Sequence, residues 1–211
     1  MTEKLTEKTL LRKRIREQRA VIPAYRQHLS SLSLARRILC CVPQLRRSRK
    51  IAFYLPQEGE ISLLPVLAHC LMSKRECFLP VLMNTSGKQL GFARWIPGSP
   101  MSVNRFGIAE PYVAERELLS AAEIDLIFMP LVAFDARGHR LGMGGGYYDR
   151  SLAECFVNSP GYRSTPYLVA TAHDIQLVPD IPVEPWDIIP DVTITPARII
   201  RPERTWRAVN A

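Results

Sequence analysis

The chain has 211 residues, 47% of them hydrophobic and 23% charged, a globular composition that excludes a disordered chain. Its longest stretch without Asp, Glu, Lys or Arg is the 13 residues from Ile61 to Ser73, too short for a membrane-spanning helix of about 20 apolar residues. The start, MTEKLTEKTLLRKR, lacks the apolar centre of a secretory signal, so a soluble, cytoplasmic protein without a membrane partner is expected.

The net charge of +8 is unevenly spread: residues 1–50 hold 14 Lys and Arg against 3 Asp and Glu, and the rest of the chain is slightly acidic. A cationic segment of this kind favours an anionic partner, whether nucleotide, nucleic acid or polyacidic metabolite. The five cysteines are odd in number, form no C-x-x-C and stand in apolar contexts, which predicts buried thiols and neither a disulfide framework nor a zinc site.

In chain order, Lys8 to about Val21 has helical spacing, with Leu11 and Ile15 on one side and basic residues on the rest. Pro23 suits the first turn of a second helix, whose apolar positions Leu29, Leu32, Ala35, Ile38 and Leu39 keep the same period and which Pro43 ends. IAFYL at 51–55 reads as a buried strand, followed by a turn-like PQEGE. Ser62 is a candidate cap for a helix to about Lys74 that tolerates Pro65 in its first turn. A strand over 77–82 follows, and residues 84–112 resemble an irregular insertion around a possible strand, LGFARW. The apolar run 125–134, DLIFMPLVAF, is expected to be the central strand. YLVATA and DVTIT are further strand candidates among Pro-rich loops. The alternation predicts an α/β fold: a single three-layer domain over residues 1–211, with a largely parallel central sheet flanked by helices.

Residues 140–149, RLGMGGGYYD, hold 4 of the 11 glycines between a strand and a helical pattern. Such a turn lets backbone N–H groups converge on a phosphate at the positive end of a helix. It is neither a Walker A loop, because Gly146 is followed by Tyr147 and Tyr148, nor a dinucleotide fingerprint, because Tyr147 stands where a third glycine is needed.

FDARGHRLGMGGGYYDR resembles the signature of the 5-formyltetrahydrofolate cyclo-ligase family. Three more blocks in the same order extend the resemblance: K-x-x-x-R at Lys8–Arg12, IAFYLPQEGE ending at Glu60, and AHDIQLVPDIPVEPWDIIPDVTIT over 172–195. The resemblance implies N-terminal basic helices at 6–41 packed on the α/β core. It also implies ATP-dependent, magnesium-aided conversion of 5-formyltetrahydrofolate to 5,10-methenyltetrahydrofolate. The formyl oxygen is phosphorylated, nitrogen 10 closes the ring, and ADP and phosphate are released. This chemistry asks for positioning and charge stabilisation more than for a protein nucleophile.

By the same resemblance, ATP falls to Lys8, Arg12, Arg140, Leu141, Gly142, Met143, Gly144, Gly145, Gly146, Tyr147 and Tyr148. Leu55, Glu60 and Tyr147 line the folate. Arg140, Tyr147 and Asp149 are the catalytic candidates, and Asp149 and Asp187 the magnesium ligands, with Asp191 ranked below them. Met143 and Gly145 stand where some members carry Lys or Arg, which leaves charge neutralisation to Arg140, the first helix and the metal. The expected partners are small molecules, including polyglutamylated folate, with no nucleic acid and a monomeric chain. The competing reading is a non-catalytic basic nucleotide- or RNA-binding α/β module. Against it stands the lack of an RNP-type aromatic strand, a KH clamp or zinc-finger spacing.

Overall fold

Buried strand residues alternate between two packing faces, as a pleated strand requires. This computed structural model describes residues 2–83, 87–157 and 165–202; the part of the basic tail beyond Pro202 lies outside them. The chain runs α1 (Thr2–Ala20), α2 (Ala24–Cys41), α3 (Pro43–Arg47), β1 (Lys50–Ala52), α4 (Leu64–Met72), β2 (Glu76–Leu82) and β3 (Leu90–Arg94). It continues with β4 (Met101–Val103), β5 (Ala109–Pro111), β6 (Leu126–Pro130), β7 (Ala133–Phe134), β8 (Arg140–Leu141) and α5 (Tyr147–Val157). β9 (Tyr167–Thr171), β10 (Val192–Ile194) and β11 (Ile199–Ile200) complete it. Seven strands form the main sheet in the order β11-β10-β9-β6-β1-β2-β3. The five inner strands are parallel, and β3 and β11 are antiparallel edges.

Ile51, Phe53, Leu79, Phe128 and Val169 pack on one face with Leu34 and Ile38 of α2 and Val66 and Leu67 of α4. Ala52, Phe78, Ile127, Met129 and Leu168 face the other way, onto Leu152 and Cys155 of α5. Helices on both faces of a parallel sheet give the expected α/β layers. Among the described residues no helix is long and apolar enough to cross a membrane.

The structure departs from the sequence reading at several places. The run 125–134 is two strands: β6 pairs with β1 and β9, whereas β7 leaves the sheet to pair with β8. The Val132 N–H donates to Leu141 O at 2.7 Å, which draws the chain into this hairpin. All of Leu126–Met129 and Leu131–Phe134 are buried, so hydropathy alone carried no sign of the change of partner. β1 ends at Ala52, although Phe53 N–H still reaches Phe78 O at 2.9 Å. Ser62 accepts the Leu64 N–H at 3.2 Å in a turn before α4, and the helix-flanking residue is Leu63. Pro23 precedes α2 as its N-cap. In the insertion, β4 and β5 form an antiparallel hairpin.

Strand order reverses between β1 and β6. From β1 the sheet grows through β2 to β3, and from β6 it grows through β9 and β10 to β11. Ligands in open α/β sheets bind in the crevice at the carboxyl ends of the strands beside such a reversal. The loop after β1 carries Leu55 and Glu60, and the segment after β6 leads through the β7–β8 hairpin into the glycine loop.

Phe53 and Phe128 join the two sides of this reversal, stacked with ring centroids 5.1 Å apart. Phe128 is fully buried. Truncating Phe128→Ala is expected to cost about 3–5 kcal/mol, read by denaturant unfolding; a loss below about 1 kcal/mol contradicts this packing.

Candidate active site

The glycine loop is anchored before it begins. Asp135, fully buried, accepts the N–H groups of Arg137 at 2.9 Å and His139 at 3.0 Å, and meets the His139 ring at 2.8 Å. These bonds close the turn between β7 and β8. Asp135, His139 and Asp180 bring possible ligand atoms within 4.8 Å of one another. Arg137 pairs with both carboxylates, so the group acts as a self-neutralised clasp.

Within the loop, Gly144 and Gly146 have φ of 95° and 67°, a region side chains disfavour. A Cβ on Gly145 would lie 2.8 Å from the Tyr147 ring, whereas one on Gly142 would meet only the Arg140 guanidinium at 3.5 Å. The loop ends as α5 starts at Tyr147, so its backbone N–H groups sit at the positive end of a helix.

α1 supplies the adjoining cations. Leu11 and Ile15 pack with Val132, Ala133, Leu141, Val178 and Ile181, which turns the face bearing Lys8, Arg12 and Arg19 towards the loops. Arg12 Nε donates to Gly142 O at 2.8 Å, and its guanidinium lies 3.3 Å from where a Gly144 Cβ would be. Burial lowers the Arg12 pKa, and Asp187 opposes that shift. Lys8 Nζ lies 3.4 Å from Asp187 and 3.6 Å from Glu184. Leu141 belongs to the apolar cluster with Ile15 and is 3% exposed, so its side chain has no surface for a nucleotide. Met143 is exposed.

The acidic candidates are already engaged. Asp149 Oδ1 accepts Arg140 Nη2 at 2.5 Å and the Ile188 N–H at 3.1 Å. Arg140, with its side chain 5% exposed, also donates from Nε to Ile188 O at 3.2 Å. Arg140 therefore ties α5 to the C-terminal segment. Asp187, the residue before Ile188, accepts the Glu184 N–H at 2.9 Å. Two partly exposed carboxylates on neighbouring segments fit a hard divalent cation that keeps waters and phosphate oxygens as its other ligands. Asp191 is buried and accepts the Leu168 N–H at 2.7 Å within the sheet, away from this group.

Glu60 stands on the loop that follows β1. Its Oε2 accepts the Gln57 N–H at 3.1 Å and its Oε1 lies 3.9 Å from Arg19 Nη1. Burial raises its pKa, the Gln57 N–H and Arg19 lower it, and Glu58 adds to the rise. Tyr54 donates within this region to Ile61 O at 2.8 Å and sits 2.9 Å from Thr171 Oγ1. Burial, reinforced by the Glu60 charge, raises the hydroxyl pKa of both Tyr54 and Tyr148. Tyr148 follows Tyr147 directly after the glycine loop, and the Glu60 charge acts on it across the site. Leu55 is half-buried against the α2–α4 face of the core.

Sequence reasoning missed several residues here. The β4–β5 turn brings Arg105 to the Tyr147 hydroxyl and Phe106 edge-on to its ring, with centroids 5.8 Å apart. Arg150 bonds Gly145 O from the first turn of α5. Arg19 and His173 are buried beside the Glu60 loop. An arginine in a basic helix and a histidine in an apolar run carry no pattern that sets them apart.

The glycine geometry yields a paired test. Gly144→Ala and Gly145→Ala are each expected to lower nucleotide affinity at least tenfold, through strain or collision with Tyr147, and Gly142→Ala less than threefold, as order-of-magnitude expectations. Nucleotide titration of the three variants checks this; equal losses contradict it.

Comparison with known proteins finds relatives over nearly the whole chain. The profile of the 5-formyltetrahydrofolate cyclo-ligase family matches residues 4–196. The chain is 37% identical to 5-formyltetrahydrofolate cyclo-ligase of Haemophilus influenzae, over 84% of this chain and 91% of that one. It is 35% identical to the Escherichia coli protein of the same name, over 86% and 96%. The NMR structure of Aquifex aeolicus 5,10-methenyltetrahydrofolate synthetase superposes with a TM-score of 0.75 at 30% identity, covering 93% of each chain. A methenyltetrahydrofolate synthetase from Mycoplasma pneumoniae, 20% identical with a TM-score of 0.68, shares the fold. With the profile spanning nearly the whole chain and bacterial relatives above 30% identity, the chain belongs to the 5-formyltetrahydrofolate cyclo-ligase family and is a cyclo-ligase enzyme.

Proposed function

We propose that this enzyme converts 5-formyltetrahydrofolate to 5,10-methenyltetrahydrofolate at the expense of ATP, in the cytoplasm and on free small-molecule substrates. The observation that carries the reading is the convergence of a glycine loop, a strip of cations and a partly buried glutamate at one strand-order reversal. The γ-phosphoryl group passes to the formyl oxygen and ADP leaves. Nitrogen 10 then attacks the activated carbon, the carbon–oxygen bond breaks, and phosphate departs as nitrogen 10 gives up its proton. Each step needs alignment and charge stabilisation, the kind of catalysis that fixed dipoles and cations supply.

In this reading Gly144, Gly145 and Gly146 offer backbone donors to the phosphates, and Lys8 and Arg12 offset their charge. Arg140 contributes mainly by fixing Asp149, since its guanidinium is already bonded there. Glu60 accepts hydrogen bonds from the pterin N–H groups, a charge-assisted pairing. Tyr147, steadied by Arg105 and Phe106, flanks the reacting centre between the loops. Magnesium, when bound, is assigned to Asp149 and Asp187 and supplies screening of phosphate charge.

The direct assay follows methenyltetrahydrofolate absorbance. Product is expected only when ATP and magnesium are both present; formation at the same rate without either contradicts the proposal. The two aspartates separate by a second readout. Asp187→Asn is expected to raise the magnesium requirement roughly tenfold or more with little change in Tm. Asp149→Asn removes the partner of a buried arginine, so it is expected to lose activity and also about 3 kcal/mol of stability. An unchanged magnesium requirement in both variants overturns the metal assignment.

A further inference from the structure

Arg19 is 1% exposed, near the C-terminal end of α1. A cation this deep is costly unless its hydrogen-bonding capacity is met. Its Nε donates to Glu58 O at 3.0 Å. Its Nη1 has no hydrogen-bond partner, and lies 3.9 Å from Glu60 Oε1, beyond hydrogen-bond reach. The buried His173 has a second such atom, Nε2, on a ring whose pKa burial lowers against the opposing pull of a bond to the Gly59 backbone. Buried polar atoms without partners are uncommon and call for an explanation. Both of these flank one turn, Gln57–Glu60.

The turn is shaped for this arginine. Gly59 has φ of 75°, and a Cβ there would come within 3.2 Å of Arg19 O and 3.5 Å of Arg19 Cγ. Arg16, one turn earlier on α1, pairs with the Glu58 carboxylate at 2.6 Å. Successive arginines of α1 thus hold both the side chain and the carbonyl of Glu58, while Glu60 points back to the Gln57 N–H.

We propose that Arg19 is a positioning residue for pterin recognition, a buried cation that fixes the Gln57–Glu60 turn and presents Glu60 as an oriented carboxylate. The assignment rests on the reading of Glu60 as the folate acceptor. The groups facing Glu60 are Arg19 from α1, Glu58 and the Gln57 N–H of its own turn, Tyr54 from the segment after β1, and Tyr148 from α5; His173 and Asp174 stand behind Gly59. Arg19 is the cation among those that act on Glu60, and it offsets a rise that burial imposes. Only the ionised carboxylate is acceptor-only at both oxygens and gives charge-assisted bonds, so folate binding weakens as pH falls through the Glu60 pKa. Removing Arg19 moves that limb to higher pH.

The test measures 5-formyltetrahydrofolate binding across pH in the wild type, Glu60→Gln, Arg19→Gln and Arg19→Lys, with ATP affinity and Tm on the same preparations. Glu60→Gln is expected to bind weakly at every pH, without the acid limb. Arg19→Gln is expected to keep the limb but shift it up by about one pH unit, the usual effect of losing an opposite charge at this distance. Arg19→Lys returns the limb towards its wild-type position, and ATP affinity stays within about twofold throughout, as expected of a group that contacts only the folate-side turn. A limb that stays in place in Arg19→Gln while Glu60→Gln loses binding overturns the Arg19 assignment alone. Wild-type binding by Glu60→Gln overturns the Glu60 reading and the proposal with it. Should Arg19→Gln fail to fold, Arg19→Lys decides: lacking the Nε–H to Glu58 O, it should bind folate about tenfold more weakly or worse, the scale of one lost charged hydrogen bond. Wild-type affinity in that variant overturns the proposal.

Discussion

The packing of α1 against the loop end of the sheet is the constraint on which the site depends. Leu11 and Ile15 bury against the β7–β8 hairpin and the segment around Val178 and Ile181. That contact sets the rotation of a helix whose other side chains are mostly charged. Because residues three and four apart share a helix face, fixing Ile15 also places Lys8, Arg12 and Arg19. Arg12 then reaches the carbonyl that opens the glycine loop, and Arg19 reaches the carbonyl before Gly59. One helix thereby touches both loops that flank the strand-order reversal. The +11 balance implied for the first 50 residues by their 14 basic and 3 acidic side chains is in part the composition of this contact surface.

The electrostatics follow from depth. Burial lowers the pKa of Arg12 and Arg19 and raises that of Glu60. Each charged form is held by a specific partner: a backbone carbonyl for the arginines, and the Gln57 N–H with Arg19 for the glutamate. Such groups need little reorganisation when charge develops beside them, which is the basis of electrostatic preorganisation. The other side of the site works by the same rule. Arg140 and Asp149 pair across α5 and the 187–188 segment, holding a buried cation and a carboxylate next to the glycine loop.

Much of this was legible in the sequence, for identifiable reasons. The layers were readable because strand and helix periods differ and because the parallel strands form short, continuous apolar runs. The glycine loop stood out because four glycines in five positions are costly without a use. Other features were hidden by physics that one-dimensional patterns do not carry. The split of 125–134 into β6 and β7 changes hydrogen-bond partners and leaves hydropathy the same. Leu141 sits inside the signature, yet its side chain belongs to the core, because in a two-residue strand neighbouring side chains point to opposite sides. Arg19 is one of many basic residues in α1, and only the tertiary packing makes it the buried one. The hairpin carrying Arg105 and Phe106 lies in the segment with the weakest pattern, and its contact with Tyr147 is long-range.

The central claim is that α1 gathers a nucleotide loop and a folate loop into one site at the β1–β6 reversal. A crystal structure of the enzyme with a non-hydrolysable ATP analogue and 5-formyltetrahydrofolate tests it most directly. The predicted result is a triphosphate lying on the Gly144–Gly146 backbone beside Lys8 and Arg12, with the pterin paired to Glu60 and the formyl oxygen facing the terminal phosphate. A nucleotide seated away from the glycine loop, or a pterin that leaves Glu60 uncontacted, contradicts the account.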